Sequence, residues 1–275
     1  MTTVPVRPGL VPLVTTAGED LLRGLARWDL WGRLGWLEVK RRYRRTMIGP
    51  FWSTISLGIF VGALGAVGSG LWNQKAGEYL PFLSAGMVVW IMLSTVMNEA
   101  GSLFVGGVGL FRQTRFDYSI LVFACVWRNF ITFLHNLLVY IVVLLIGAPH
   151  LLGWSVLLAI PGLLLLFVNE AWITLLLGMF CLRFRDVQQL VSSLIQIAMF
   201  ITPIFWSPEH LPGKRQFVFV TLNPLYHLIQ IVRAPLVGEV PSTTSYIAVL
   251  LIAAVGWALT YAAFVKFRKR IAYWS

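Results

Sequence analysis

Ionisable residues are scarce in this chain, and two of them sit where charge is costly. Arg128 immediately precedes an uncharged run from Asn129 to Asn169, and Glu170 closes it. Counted along helices at 1.5 Å per residue, each lies roughly 15 Å from the helix end on its own side. Charges at such depth in apolar surroundings are paired or functional. Their matching depth predicts an Arg128–Glu170 ion pair supported by Asn129 and Asn169, with a proton-carrying Glu170 as the competing chemistry. Other reactive groupings are sparse. Cys125 and Cys181 stand among apolar residues and read as small buried hydrophobes, giving neither a disulfide framework nor a metal site. His135 and Asn136 read as groups bonding one helix to another, since no second ligand stands one turn away. The sole Gly-Lys pair, Gly213-Lys214, lacks the glycine spacing of a phosphate-binding loop, and Gly65, Gly68 and Gly70 lack the strand–helix context of a dinucleotide fingerprint.

The elements that would position these groups follow from composition. Of 275 residues, 58% are hydrophobic, 14% aromatic and only 12% charged, against roughly 25% charged for a soluble domain. Mean hydropathy is +0.77. The net charge of +11 could suggest nucleic acid, but too few charges exist to clothe a water-facing surface. Uncharged stretches at 46–74, 129–169, 187–208 and 240–265 each exceed the roughly 20 residues that cross about 30 Å of hydrocarbon. The expected fold is an all-α polytopic membrane protein with six crossings: 53–72, 81–98, 118–147, 154–182, 190–206 and 246–266. A turn signal at Gly147, Ala148, Pro149, His150 and Gly153 splits the longest run into a helical hairpin. With the N-terminus in the cytoplasm, 18 Lys and Arg fall inside and four outside, which satisfies the positive-inside rule. Both termini are then cytoplasmic. The first 45 residues show no h-region followed by a cleavage site, so no cleaved signal peptide is expected.

Two regions depart from plain crossings. Residues 216–232 are uncharged but interrupted by Asn223-Pro224, and proline there removes a donor and disfavours helix in the residue before it. Segment 207–245 therefore reads as an external, re-entrant piece of short broken helices, tolerated at membrane depth only where protein or a water-filled cavity shelters it. Residues 1–52 read as a cytoplasmic region of two amphipathic helices, 53–275 as the transmembrane domain. Leu21, Leu22, Leu25 and Trp28 share one helical face and Leu30, Leu34 and Leu37 nearly the opposite one. The break is expected near Asp29, acting as N-cap. Trp28, Trp31 and Trp36 would sit at headgroup depth, with Lys40, Arg41, Arg42, Arg44 and Arg45 against phosphates or serving as an orientation anchor. Helix 1 also carries Gly58, Gly62, Ala66 and Gly70, a small-residue ridge for packing within the subunit or across a dimer.

Several short motifs, in order along nearly the whole chain, carry a resemblance. Arg42-Tyr43-Arg44-Arg45-Thr46 and Gly49-Pro50-Phe51-Trp52 precede helix 1, Trp127-Arg128-Asn129 lies in helix 3, and Arg183-Phe184-Arg185-Asp186 follows helix 4. Thr202-Pro203-Ile204 lies in helix 5, and Leu222-Asn223-Pro224 lies in the external segment. Together they resemble the ABC-2 type permeases that export polysaccharides. The resemblance implies a homodimer of six-helix subunits, joined to two copies of a soluble ATPase that carries the ATP and Mg. It implies an inner-membrane location and a lipid-linked polysaccharide as cargo, of O-antigen, capsule, teichoic acid or galactan type. This chain would need no cofactor or metal and would not be an enzyme.

The resemblance further implies roles for residues. Phe104, Phe111, Arg112 and Arg115 in loop 99–117, with Arg185 and Asp186, would couple to the ATPase through a short helix bearing an exposed aromatic. Thr202, Pro203, Asn223 and Pro224 would form an external gate. Sugars present flat C–H faces that pack on aromatic rings, so Trp90, Trp127, Tyr140, Trp172, Phe205, Trp206, Tyr226 and Trp257 are channel candidates, with lipid belt or core packing as the alternative for each. Rival functions are an ion-coupled secondary transporter built on Glu170, and an ABC-2 exporter of a drug or small lipid. The first would show internal repeats with matched broken helices, and the sequence shows none. A membrane glycosyltransferase would need acids grouped at one face, and only the scattered Glu99, Asp117 and Asp186 stand there.

Overall fold

The computed structural model describes residues 16–44, 46–49, 51–71, 75–106, 117–151, 153–208 and 213–274. Arg45, Pro50, Phe111, Arg112 and Arg115 lie outside the described residues. Among those described the protein is helical, without a strand. In chain order the helices are α1 (Ala17–Ala26), α2 (Trp28–Tyr43), α3 (Phe51–Leu71), α4 (Ala76–Ala100), α5 (Leu103–Gly106) and α6 (Tyr118–Gly147). Then follow α7 (Ala159–Arg183), α8 (Val187–Ile201), α9 (Gly213–Gln216), α10 (Pro224–Leu236) and α11 (Thr243–Trp274). Short 3₁₀ turns, Pro149–Leu151 and Trp154–Leu158, join α6 to α7, as the Gly-Pro signal required.

Among the described residues, five helical stretches are long and apolar enough to cross a membrane: 51–70, 76–100, 118–147, 154–183 and 243–271. The expected fifth crossing at 190–206 is shorter. Helix α8 has 15 residues, roughly 22 Å at 1.5 Å per residue, and stops at Ile201 because Pro203 forces Thr202 into an extended conformation. The broken external segment is present. Residues 213–221 and 224–236 form a helix pair bent by 80°, with Pro224 opening the second member and Asn223 capping it through bonds from the N–H of Leu225 (3.0 Å) and Tyr226 (3.2 Å).

The core follows burial. Helix α4 is covered on most sides and packs on α3, α6, α7, α8 and α10. A main apolar cluster joins α3, α4, α6, α7 and α10, and a second joins α1, α5, α6, α7 and α11. Gly162 lets α7 approach α10 so closely that a Cβ there would overlap the Ile231 carbonyl. Gly238, at φ 87°, turns the chain after α10, a conformation that favours glycine.

The N-terminal helices dock on protein more than the sequence reading anticipated. Helix α1 opens with a capping box: Thr16 Oγ1 accepts from the Glu19 N–H, and the Glu19 carboxylate accepts from the Thr16 N–H. The break between α1 and α2 falls at Arg27, not Asp29, which lies in the first turn of α2. Trp28 and Trp36 are exposed. Trp31, expected among headgroups, instead packs on α6, its ring 5.8 Å from Trp127 and 6.3 Å from Phe123. Two glycines permit this approach. A Cβ on Gly24 would overlap Ser119 Oγ, and one on Gly35 would lie 2.9 Å from the Ala124 carbonyl.

Gly35→Val should therefore lift α2 from α6 at a cost of about 2 kcal/mol, as overpacking does. Gly32→Val, which meets nothing within 4 Å, should leave stability nearly unchanged. Melting temperatures of the two purified variants distinguish these outcomes.

Candidate functional site

Charged side chains concentrate at the two ends of the bundle. At the N-terminal end of α6, Asp20 of α1 is wholly buried and serves three elements. Its carboxylate accepts from the backbone N–H of Tyr118 (3.3 Å) and Ser119 (3.1 Å), completing the first turn of α6. It also accepts from Arg268 of α11 through Nε (2.9 Å) and Nη2 (2.8 Å). Burial and the nearby Asp20 charge push the Asp117 carboxyl above its ordinary range.

Between two and three turns deeper along α6 stands a second joint. Arg128 of α6 donates to Glu99, in the last turn of α4, through Nη2 (2.5 Å) and Nε (3.2 Å). It also pairs with Glu38 of α2. Glu99 in turn pairs with Arg42 of α2 and accepts from Asn129 Nδ2 at 2.8 Å. Burial opposes the charge on Arg42, but the Glu99 carboxylate and its hydrogen bond outweigh that and raise the guanidinium above its ordinary value. Two acids and two arginines from three helices thus neutralise one another.

This overturns the expected Arg128–Glu170 pair. Helix α7 runs to Arg183, which puts Glu170 roughly 20 Å from that end, a turn deeper than Arg128. The flexible Arg128 side chain reaches instead toward the carboxylates at the helix ends, as long cationic side chains do. Glu170 is buried with neither oxygen hydrogen-bonded. Asn129 serves Glu99, and Asn169 accepts from Trp172 Nε1 (3.0 Å) while donating to the Leu165 carbonyl (2.8 Å). Glu38 stands four residues before Arg42, and that spacing was the available hint to the joint.

At the opposite end, the chain leaves α8 at Thr202 and runs non-helically through Trp206. Its exposed polar backbone finds partners one by one. The Pro203 carbonyl accepts from Arg233 Nη1 (2.6 Å), and the Phe205 carbonyl from Tyr79 Oη (2.7 Å). Asn223 Nδ2 donates to Thr202 Oγ1 (3.0 Å), so the two proline motifs singled out from the sequence meet in space. Arg233 was counted among external charges, yet it is 1% exposed. It donates to Gln230 Oε1 through Nε (3.0 Å) and Nη2 (2.7 Å) and lies 4.2 Å over the Phe82 ring and 5.9 Å from that of Tyr226. Gly86 makes room for it, with a Cβ there lying 3.4 Å from Arg233 Cδ. Its burial was hidden because an arginine in a broken external segment reads like a surface residue.

The aromatic candidates separate into two groups. Trp90 and Tyr140 are 3% exposed in the main core, where Tyr140 Oη donates to the Leu236 carbonyl, so neither lines a groove on this subunit. Trp127 is held between Trp31 and Phe130, Trp172 fits against Gly256, and Trp257 donates to the Val168 carbonyl at 3.0 Å. Phe205, Trp206 and Tyr226 are half-buried around the break, with Trp206 Nε1 bonded to the Phe200 carbonyl at 3.1 Å.

The coupling candidates also divide. Phe104 was expected to be exposed, but α5 turns it inward to full burial against Tyr118 and Gly178. Arg185 and Asp186 are exposed at the α7–α8 turn, as are Arg42 and Arg44 on α2. No group of three or more His, Cys, Asp or Glu side chains suited to a metal occurs among the described residues.

Two substitutions test these joints. Glu99→Gln leaves two arginines without their shared carboxylate and should cost about 3 kcal/mol, less than additive with Arg128→Met in a double-mutant cycle. Arg233→Lys keeps the charge but loses the fork and the stacking, and should cost about 2 kcal/mol in thermal unfolding.

Comparison with known proteins gives the context for this arrangement. The chain is 24% identical over 237 residues to an O-antigen export system permease protein RfbA of Klebsiella pneumoniae, spanning 84% of this chain and 88% of that protein. A second such protein of K. pneumoniae is 23% identical over 197 residues, spanning 70% and 74%. One of Myxococcus xanthus is 24% identical over 193 residues, spanning 70% and 74%. The sequence pattern of the ABC-2 type transporter family matches residues 30–237, from the start of α2 to the end of α10. The Glu38, Arg42, Glu99 and Arg128 joint and the braced break after α8 thus fall within that pattern, and the chain belongs to the ABC-2 type transporter family.

Proposed function

We propose that this chain is the membrane-spanning subunit of an ATP-driven exporter that carries a lipid-linked polysaccharide out of the cytoplasm across the bacterial inner membrane. The carrying observation is a polar stripe. Gln189, Ser193 and Gln196 lie on one exposed face of α8, a helix otherwise rich in Leu and Ile, and the stripe runs toward the braced break. Polar side chains in a membrane helix face a partner or a water-filled path. Helix α3 offers a second uncovered face: a Cβ on Gly62 or Gly70 would meet nothing within 4 Å. Two copies joined along these faces would enclose a path, and the chain would therefore work as a homodimer.

The mechanism follows from the two charged joints. With the basic ends in the cytoplasm, a soluble ATPase, binding ATP and Mg, would press on the 99–117 loop, on Arg185 and Asp186, and on α2. Glu99 stands at the end of α4 and Asp20 under α6, so a push on α1, α2 or the loop is delivered to α4, α6 and α11 without bending a helix. At the far side Thr202, Pro203, Asn223 and Pro224 form the gate, with Arg233 and Tyr79 holding its backbone. Phe205, Trp206 and Tyr226 around it supply faces for sugar C–H surfaces as the chain slides. The names of the relatives, O-antigen export permeases, support a polysaccharide cargo over a drug or small lipid.

Purification of the tagged chain in mild detergent should bring down a soluble ATPase at one-to-one stoichiometry. A complex containing no ATPase refutes the reading. In cells, Gln189→Leu with Gln196→Leu should reduce surface glycan roughly tenfold, the effect of about 1.4 kcal/mol, while assembly is retained. Glu170→Gln should leave export intact, because neither carboxylate oxygen has a partner to lose. Loss of a proton-dependent transport in that variant would favour ion coupling.

A further inference from the structure

At the basic ends of α7 and α11 lies a groove of about 150 Å³. Met179, Phe180, Ala263 and Phe267 form its apolar walls. Arg183 and Arg270 stand at its rim, both exposed, and among the described residues no carboxylate lines it. Among the described residues neither arginine has an ion-pair partner, whereas Arg268, two positions from Arg270, is bound by Asp20. The Arg183 guanidinium lies 5.5 Å from the Trp274 ring and 5.1 Å from that of Phe184. A stacked guanidinium keeps its N–H edge for an oxyanion.

We propose that this groove is a binding site for an anionic phospholipid of the leaflet at the basic ends of the helices. The acyl chain lies along the Phe180 and Phe267 walls, and the phosphate is held between Arg183 and Arg270. Charge complementarity selects the occupant: an apolar slot ending in two unpaired cations matches a hydrocarbon tail ending in a phosphate, at the depth where headgroups lie. A second copy of the chain is a poorer occupant. The uncovered small-residue face is on α3, which packs on α4 and α6, and the polar stripe is on α8, whereas α11 packs on α7, α10 and α1. The site is separate from the transport path proposed above and does not depend on the cargo.

Native mass spectrometry of the full chain, with the subunits it retains, tests the site. Phosphatidylglycerol and phosphatidylcholine with identical acyl chains are the probes. Phosphatidylglycerol should bind at one saturable site per chain, and Arg183→Gln with Arg270→Gln should weaken it roughly tenfold. Lys40→Gln with Lys269→Gln, which removes the same charge outside the groove, should change it less than twofold. Ala263→Phe, which fills the slot, should abolish binding of the same lipid. Equal binding of both lipids overturns the proposal, as does an equal loss in the two double variants. If Ala263→Phe fails to fold, comparison of the two double variants still decides.

Discussion

A backbone that leaves its helix away from water must find every donor and acceptor within the protein, and the break after α8 does so through three side chains. Arg233 takes the Pro203 carbonyl, Tyr79 takes the Phe205 carbonyl, and Asn223 ties Thr202 to the cap of α10. Tyr79 comes from α4, and Asn223 and Arg233 from the two ends of α10. The bent α9–α10 pair can therefore press against the bundle while the segment 202–206 stays ordered. Without the buried guanidinium, the Pro203 carbonyl would have to be solvated where little water reaches.

The opposite end applies the same rule to charge. Asp20 and Glu99 each satisfy more than one element: Asp20 caps α6 and binds Arg268, while Glu99 binds Arg128, Arg42 and Asn129. Such shared carboxylates make a joint stiff, because removing one takes the carboxylate from a cation, Arg268 or Arg42, and frees a second element at the same time. Between the stiff ends, α3 and α8 keep faces that the rest of the described chain leaves uncovered. In the exporter proposed above, this division would supply rigid contacts where force enters, a braced gate where cargo leaves, and open faces where a second copy completes the path.

Physical consistency also explains which aromatic residues are available. Trp and Tyr are large enough to fill the gaps between helices, and Trp90, Tyr140 and Trp172 are used there. Phe205, Trp206 and Tyr226 stay partly open beside the break, where the chain does not pack as helix on helix, and Trp127, Trp172 and Trp257 stay partly open along the helices.

Much of this architecture was legible in the sequence, because hydrocarbon thickness and proline chemistry act locally. Long uncharged runs specified the five long helices, Asn223-Pro224 specified the bend, and the order of short motifs pointed to the family. The length of α8 was misjudged since hydropathy continues past Ile201 although Pro203 stops the helix. What the tertiary structure alone decided is who pairs with whom. Arg128 has three acids on neighbouring helices, and depth along a helix cannot rank them, because the choice depends on where α2, α4 and α6 converge. Glycines at 24 and 35 set that convergence by letting α1 and α2 rest directly on α6. Arg233 is buried for the same kind of reason: its surroundings come from α4 and the 202–206 break, which are distant in sequence and adjacent only once the helices have packed.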